Sequence, residues 1–495
     1  MRLGPHLAWG RVLHGGDHRR ALAGATTRRG VADGIVADGS MTDGRLTDDG
    51  VARAVSSGAG RSGLGGSLTV SGGACWRRAS DAKELAMADV KERILARIDP
   101  DEVIGFAKEL VKVPSYTTDE TPLAEFLHRF LQAERLESRL QEVDPGRFQT
   151  IARLPGVGGR PSLMFDGHLD IDPIPGGWVR DPWIPTVEND RFYGAGIYNM
   201  KGGDAAMVMA VVAARRAGVR LRGDVWLAGV VGELQGGVGT VHLLRSGVRA
   251  DMAIVPEPYS TQNIITKHTG VVEFLVHVIG RSAHISRMEH GVNAIGRAAR
   301  AVQALERLHL RGERDPDLPG LSRLCVGSIV GGRGRQWELR GPNIVPDFCS
   351  VFIDVRFPAG LTPESILADV RGTLDAVGAS DPDFRYEIEW PARPERRCMR
   401  EVMTPLSMPT DHPIVQTLAA NVRAVRGVDP TIGAVAPYRN AGNDTSHLYG
   451  AAGIPCCLYG PGGGFDAGRD DRWTAVEQII TCTRVFGGVI ADICA

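Results

Sequence analysis

Residues 160–170 read RPSLMFDGHLD, an apolar run that ends in polar residues, and DVWLAGVVGE (224–233) and ADMAIVPEP (250–258) repeat that form. Each is short enough to be a strand buried on both faces. GDAAMVMAVVAARRAG (203–218) lies between the first two and has the length of a helix. Strands alternating with helices predict an α/β fold, a mostly parallel sheet covered by helices, with ligand chemistry at the carboxyl ends of the strands. His168, Glu233 and Glu257 each fall at such an end. Three polar groups are therefore expected to converge on one edge.

Working outward, VKERILARI (90–98), DEVIGFAKELVKV (101–113) and PLAEFLHRFLQAE (122–134) carry apolar residues at three- and four-residue spacing. These predict amphipathic helices at the start of the domain. Residues 1–86 are rich in Gly, Ala, Ser and Arg and lack periodicity, which predicts a disordered leader or a start codon assigned too far upstream. Downstream, VVEFLVHVIG, NAIGRAARAVQALERLH, LCVGSIVGG, CSVFIDVRF, PESILADVRGTLDAV and FRYEIEW follow one another between 271 and 390. Their order is βαββαβ, the ferredoxin-like arrangement. The expected organisation is a first catalytic part at 87–267, an inserted lid or dimerisation domain at 268–391, and a second catalytic part at 392–495.

Composition narrows the class of function. The chain has 495 residues with 57 basic and 58 acidic side chains, a net charge of -1, which argues against a nucleic-acid or anionic-membrane partner. No apolar run approaches the roughly twenty residues of a membrane span. The start MRLGPHLAWGRVL lacks the apolar core of a secretory signal, so a cytoplasmic location is expected. The eight cysteines show neither a CxxC pair nor even spacing, which points to reduced structural thiols.

Six stretches occur in a fixed order: GHLD (167–170), GAGIYNMKGG (194–203), GELQGGVGT (232–240), PEP (256–258), GRSAH (280–284) with GVNAI (291–295), and GPNIVPD (341–347) with DVRF (354–357). From about Met87 onward the chain resembles the M20 family of metallohydrolases, which includes aminoacylases, dipeptidases, carboxypeptidases, desuccinylases and deacetylases. The resemblance implies hydrolysis of the amide bond of an N-acyl amino acid or small peptide. Such chemistry needs an activated water, a base for its proton, a Lewis acid and a donor to the oxyanion.

The resemblance assigns His168 and Glu257 to a first metal, Asp170 to the carboxylate that holds the His168 ring, and Glu233 to the general base. Asn199 stands where the family places a carboxylate bridging two ions, and a neutral amide offsets two dications poorly. Leu234 takes the place of a second-metal ligand and offers no donor atom. In GPGGGFDAGRDDRW (460–473), Gly468 falls where a final histidine ligand is expected. The reading is therefore one zinc ion or none. His284 matches a histidine supplied by a partner subunit, which implies a homodimer. Asn343 and Arg356 match residues that contact the substrate, the arginine suiting a carboxylate, and Asp444 matches a polar residue near the pocket.

The same residues have plainer readings. His168 and Asp170 fit a hydrogen-bonded polar pair at a strand end, Glu257 a turn between prolines, Asn343 a cap, and Arg356 a solvated ion pair. His242 reads as a residue of an exposed helix and His447 as structural, although either could replace a lost ligand. Two other functions remain open: a metal-independent enzyme on the same scaffold performing acyl transfer or other acid–base chemistry, and a non-catalytic homologue that binds a carboxylate-bearing ligand.

Overall fold

The computed structural model describes residues 88–312, 314–336, 343–393, 398–465 and 470–495. The leader read over 1–86 and Gly468 lie outside these residues. Helices α1 (Pro100–Val111) and α2 (Thr121–Ala133) precede strands β1 (Glu137–Asp144) and β2 (Arg147–Leu154). Next come β3 (Leu163–His168), β4 (Thr186–Glu188), β5 (Arg191–Tyr193), α3 (Gly202–Arg216), β6 (Val225–Val230), α4 (Val238–Arg245) and β7 (Met252–Val255). Strands β8 (Asn263–Ile265) and β9 (Lys267–His268) lead into β10 (Gly270–Ile279), α5 (Ala294–Leu305), β11 (Arg323–Gly332), β12 (Phe348–Phe357), α6 (Pro363–Ala379) and β13 (Arg385–Glu389). The chain closes through β14 (Leu406–Ser407), α7 (Pro413–Arg426), β15 (Thr431–Gly433), β16 (Cys456–Leu458), β17 (Gly463–Phe465), β18 (Arg472–Ala475) and α8 (Val476–Cys494).

The main sheet has the order β1-β2-β6-β3-β7-β16-β8-β15. Its centre, β6-β3-β7-β16, is parallel as expected. The antiparallel β1–β2 hairpin extends one side. That hairpin escapes a reading by apolar runs because β1 is an edge strand with only Gln141 buried. Its turn uses Gly146 at φ +76, a conformation other residues adopt at a cost. Helix α3 is buried from Gly202 through Ala214, since it packs on the sheet with α1 and α8 against it; α8 reaches the same sheet, its Phe486 packing 4.8 Å from Phe165 of β3.

A second sheet, β11-β12-β10-β13, is antiparallel throughout, and with α5 and α6 it has the expected ferredoxin-like order. Its core joins Val272, Phe274 and Val276 to Val351, Ile353, Leu305, Ile366 and Leu374. A small sheet, β17-β18-β5-β4, was not legible because its strands are only three or four residues long. Among the described residues no helix is long and apolar enough to cross a membrane.

One buried ion pair fastens the hairpin to the site. Arg147 at the start of β2 donates through Nε and Nη2 to both carboxylate oxygens of Glu120 (2.9 and 2.5 Å), and through Nη1 to Gln235 (2.7 Å) and Asp144 (3.1 Å). Glu120 has no exposed surface. Arg147→Ala strands that carboxylate and is expected to cost about 3–5 kcal/mol in chemical denaturation. Glu120→Leu with Arg147→Met should recover most of the loss; a double variant as unstable as the single one contradicts this account.

Asp204, in the first turn of α3, is also fully buried, and neither of its carboxylate oxygens has a hydrogen-bond partner among the described residues. Burial, opposed by His168 and Lys201, raises its carboxyl from 3.8 to about 8. Between those values the unfolded chain ionises while the folded one keeps its proton, so this group lowers stability as pH rises through that window. Asp204→Asn is expected to match the parent near pH 4 and to exceed it by about 1–3 kcal/mol near pH 8. Thermal denaturation across pH 4–9 measures this, and a gap that does not widen with pH refutes it.

Candidate active site

Because β6, β3 and β7 run parallel side by side, their carboxyl ends share one edge, and His168, Glu233 and Glu257 meet there as the sequence predicts. The ring Nδ1–H of His168 donates to the backbone carbonyl of Asp170 (2.9 Å). Its Nε2 then faces two oxygens, Asn199 Oδ1 at 3.1 Å and Glu257 Oε1 at 3.7 Å. Two acceptors around one ring nitrogen require a proton or a cation between them. Burial lowers the proton affinity of His168, but Glu257, Glu233, Asp170 and Asp204 outweigh it and raise the imidazole to about 10.

Asp170 acts differently from the sequence expectation. Its carboxylate Oδ1 stands 3.7 Å from His168 Nδ1, so the ring is held by the carbonyl instead. The carboxylate accepts the backbone N–H of Glu233 (3.0 Å) and of Leu234 (3.1 Å), and the Thr117 hydroxyl (3.2 Å). The turn it grips is set by Gly232, Gly236 and Gly237, at φ +70, +86 and +77, where a side chain is strained. Gly203 of the NMKGG stretch is needed for closeness: a Cβ there would lie 2.1 Å from the Pro256 carbonyl, beside Glu257. Lys201 Nζ donates to the carbonyls of Leu110 (3.0 Å) and Val113 (2.7 Å), which ties the same stretch to the end of α1.

Glu233 and Glu257 both line a cleft with Asn199, Leu234, Tyr198, Tyr259, Val271, Glu273, Arg356, Met399 and Met403. Burial raises the Glu233 carboxyl well above its ordinary value, with Glu257, Asp444 and Asp170 adding to the effect and His168 opposing it. Burial also takes Glu257 up to about 7 against the pull of His168.

The residues around His168 fit one metal ion. Zinc donors lie about 2.0–2.2 Å from the ion, so two donors of a tetrahedral site are roughly 3.3–3.6 Å apart, close to the two separations seen from His168 Nε2. The set is an imidazole, an amide oxygen and a carboxylate. Among the described residues no three His, Cys, Asp or Glu form a metal group, because the third donor is Asn199. Leu234 lines the cleft without a donor atom.

The other expected residues are dispersed. Arg356 lines the cleft, but its Nε and Nη2 are already forked onto Asp354 at 2.8 and 2.6 Å. The grip on a substrate carboxylate expected of that fork is therefore taken by a neighbour on its own strand. His284 and Asn343 are exposed on the second sheet's domain and adjoin each other: His284 bridges Ile344, and the N–H of Ile285 donates to the Asn343 carbonyl (3.0 Å). Neither is among the residues lining the cleft. Asp444 is fully buried behind it; a Cβ on Gly237 would meet its Oδ1 at 2.4 Å. His447 Nε2 donates to the Gly236 carbonyl (2.6 Å), a structural bond that leaves this nitrogen no part in ligation, and the half-buried His242 sits in the last turn of α4.

Reasoning from motifs missed Tyr198, Tyr259, Glu273, Met399 and Met403. For Glu273 a signal existed, since it is the one acidic residue in the otherwise apolar strand VVEFLVHVIG.

Known proteins resemble this chain along most of its length. The chain is 25% identical over 427 residues to N-formyl-4-amino-5-aminomethyl-2-methylpyrimidine deformylase of Bacillus subtilis, covering 80% of this chain and 95% of the relative. It is 25% identical over 407 residues to succinyl-diaminopimelate desuccinylase of Thioalkalivibrio sulfidiphilus, covering 79% and 98%. Its fold matches that of a dinuclear metal-binding peptidase from Bacillus subtilis with a TM-score of 0.53 at 14% identity, over 80% of this chain and 98% of that one. Residues 164–492 match the model of Peptidase family M20/M25/M40, two-thirds of the sequence, and the chain belongs to that family.

Proposed function

We propose that this protein hydrolyses the amide bond of a small N-acyl amino acid or peptide, with Glu233 as general base and at most one metal ion. The observation that carries the reading is the placement of Glu233, whose backbone N–H is fixed by Asp170 at 3.0 Å and whose carboxyl lines the cleft with Asn199 and Glu257. The relatives named above are a deformylase and a desuccinylase, names for removal of an acyl group.

His168, Asn199 and Glu257 would hold the ion. When bound, it would supply Lewis acidity to the water and the amide carbonyl. Glu233 takes the proton of the attacking water and returns it to the leaving nitrogen, a role suited to a carboxyl whose proton affinity burial has raised. Tyr198, Tyr259, Leu234 and Met399 wall the cleft and limit bulk water around the reacting carbonyl. His284 acts as oxyanion donor from the second copy of a homodimer; its exposure beside Ile285 and Met288, which are 44% and 62% exposed, supports a contact surface there.

Glu233→Gln is expected to lower kcat about 10²–10⁴-fold while leaving metal content unchanged, and full activity in this variant sinks the assignment. Elemental analysis of the purified chain should give no more than one zinc, reduced in His168→Ala; two per chain refutes the reading of Leu234 and Asn199. Mixing inactive Glu233→Gln with inactive His284→Ala should restore activity, because the mixed dimer holds one intact site. No recovery on mixing rules out a histidine donated across subunits.

A further inference from the structure

One wall of the cleft carries an arrangement that motif reading passes over. Glu273 of β10 pairs directly with Asp354 of β12, and Arg356 lies two residues along the same strand on the same face. Two carboxylates therefore lie beside one guanidinium. Asp354 takes its fork, through Nε at 2.8 Å and Nη2 at 2.6 Å. Glu273 is left with one bond, from the Met399 backbone N–H to Oε2 at 2.9 Å, and its Oε1 makes no hydrogen bond among the described residues. Its side chain lines the cleft beside Tyr198, Tyr259 and Glu233, and Arg356 is the one arginine or lysine lining it among the described residues.

We propose that Glu273 is a specificity-determining residue and that its free oxygen receives a protonated amine, or a similarly N–H-rich group, of the substrate. This rests on the hydrolytic reading of the same cleft and names the class of substrate it takes. An unshared, half-buried carboxylate is costly unless a cation or donor reaches it. Burial and the adjacent Asp354 raise the Glu273 carboxyl to about 7 despite the Met399 N–H and Arg356, so a cationic ligand relieves the site. A substrate carboxylate at this wall would instead meet Glu273 and an arginine already forked.

Two small acetamides of similar length separate the alternatives: N-acetyl-1,4-diaminobutane carries an amine where 4-acetamidobutanoate carries a carboxylate. Calorimetric titration of the full chain is expected to show the amine bound about tenfold or more tightly. Glu273→Gln keeps the acceptor for Met399 and should erase that preference. Asp354→Asn releases Arg356 and should shift preference toward the carboxylate. Tighter binding of the carboxylate by the parent, an unchanged preference in Glu273→Gln, or no millimolar binding of either compound overturns the proposal. Turnover, followed separately with a panel of N-acyl amino acids and dipeptides, tests the hydrolase reading. A binding preference without turnover sinks that reading alone, and turnover without preference sinks the role of Glu273 alone.

Discussion

The site depends on the carboxylate of Asp170, which closes two backbone N–H groups of the Glu233–Leu234 turn and the hydroxyl of Thr117 onto the end of β3. Charge-assisted bonds of this kind, away from water, are stronger than neutral ones. They serve donors that the tight turn would otherwise leave orphaned. The backbone carbonyl of the same residue orients His168. One residue therefore sets both the histidine and the base, and their relative position cannot relax without breaking both sets of bonds.

Around that fixed point the protein buries more negative than positive charge. Asp166, Asp170, Asp204, Glu233, Glu257 and Asp444 are all buried close to His168. Such crowding is destabilising unless protons or cations are shared; burial above all, and the neighbouring carboxylates after it, raise the carboxyls of Asp204 and Glu257. The neighbouring wall repeats the theme on a smaller scale, with Glu273 and Asp354 competing for Arg356. Perturbed groups that reach a cleft, as Glu233, Glu257 and Glu273 do here, are a mark of function.

The alternation of buried runs placed β3, β6 and β7 in one parallel sheet, and GHLD, GELQGG and PEP placed their polar ends on one edge. Both were legible because they depend on local pattern and chain direction. The β1–β2 hairpin was not, since an edge strand buries little and shows no apolar run. The partners of Asp170 and Arg356 were not legible for another reason: a motif gives the residue but not which of its atoms is used, or which neighbour has already taken it.

What the sequence by itself determined is the family, the α/β and ferredoxin-like layers, the missing donor atom at Leu234 and the missing negative charge at Asn199, because side-chain identity alone decides whether an atom can ligate and what charge it brings. The tertiary structure decided that the carbonyl rather than the carboxylate of Asp170 holds His168, that Asp444 is sealed away from the cleft, and that Arg356 belongs to Asp354 while Glu273 keeps an open oxygen. Those outcomes turn on separations of about an ångström between residues distant in sequence or facing across strands, and hydrogen bonds weaken over that range. Only packing fixes such distances.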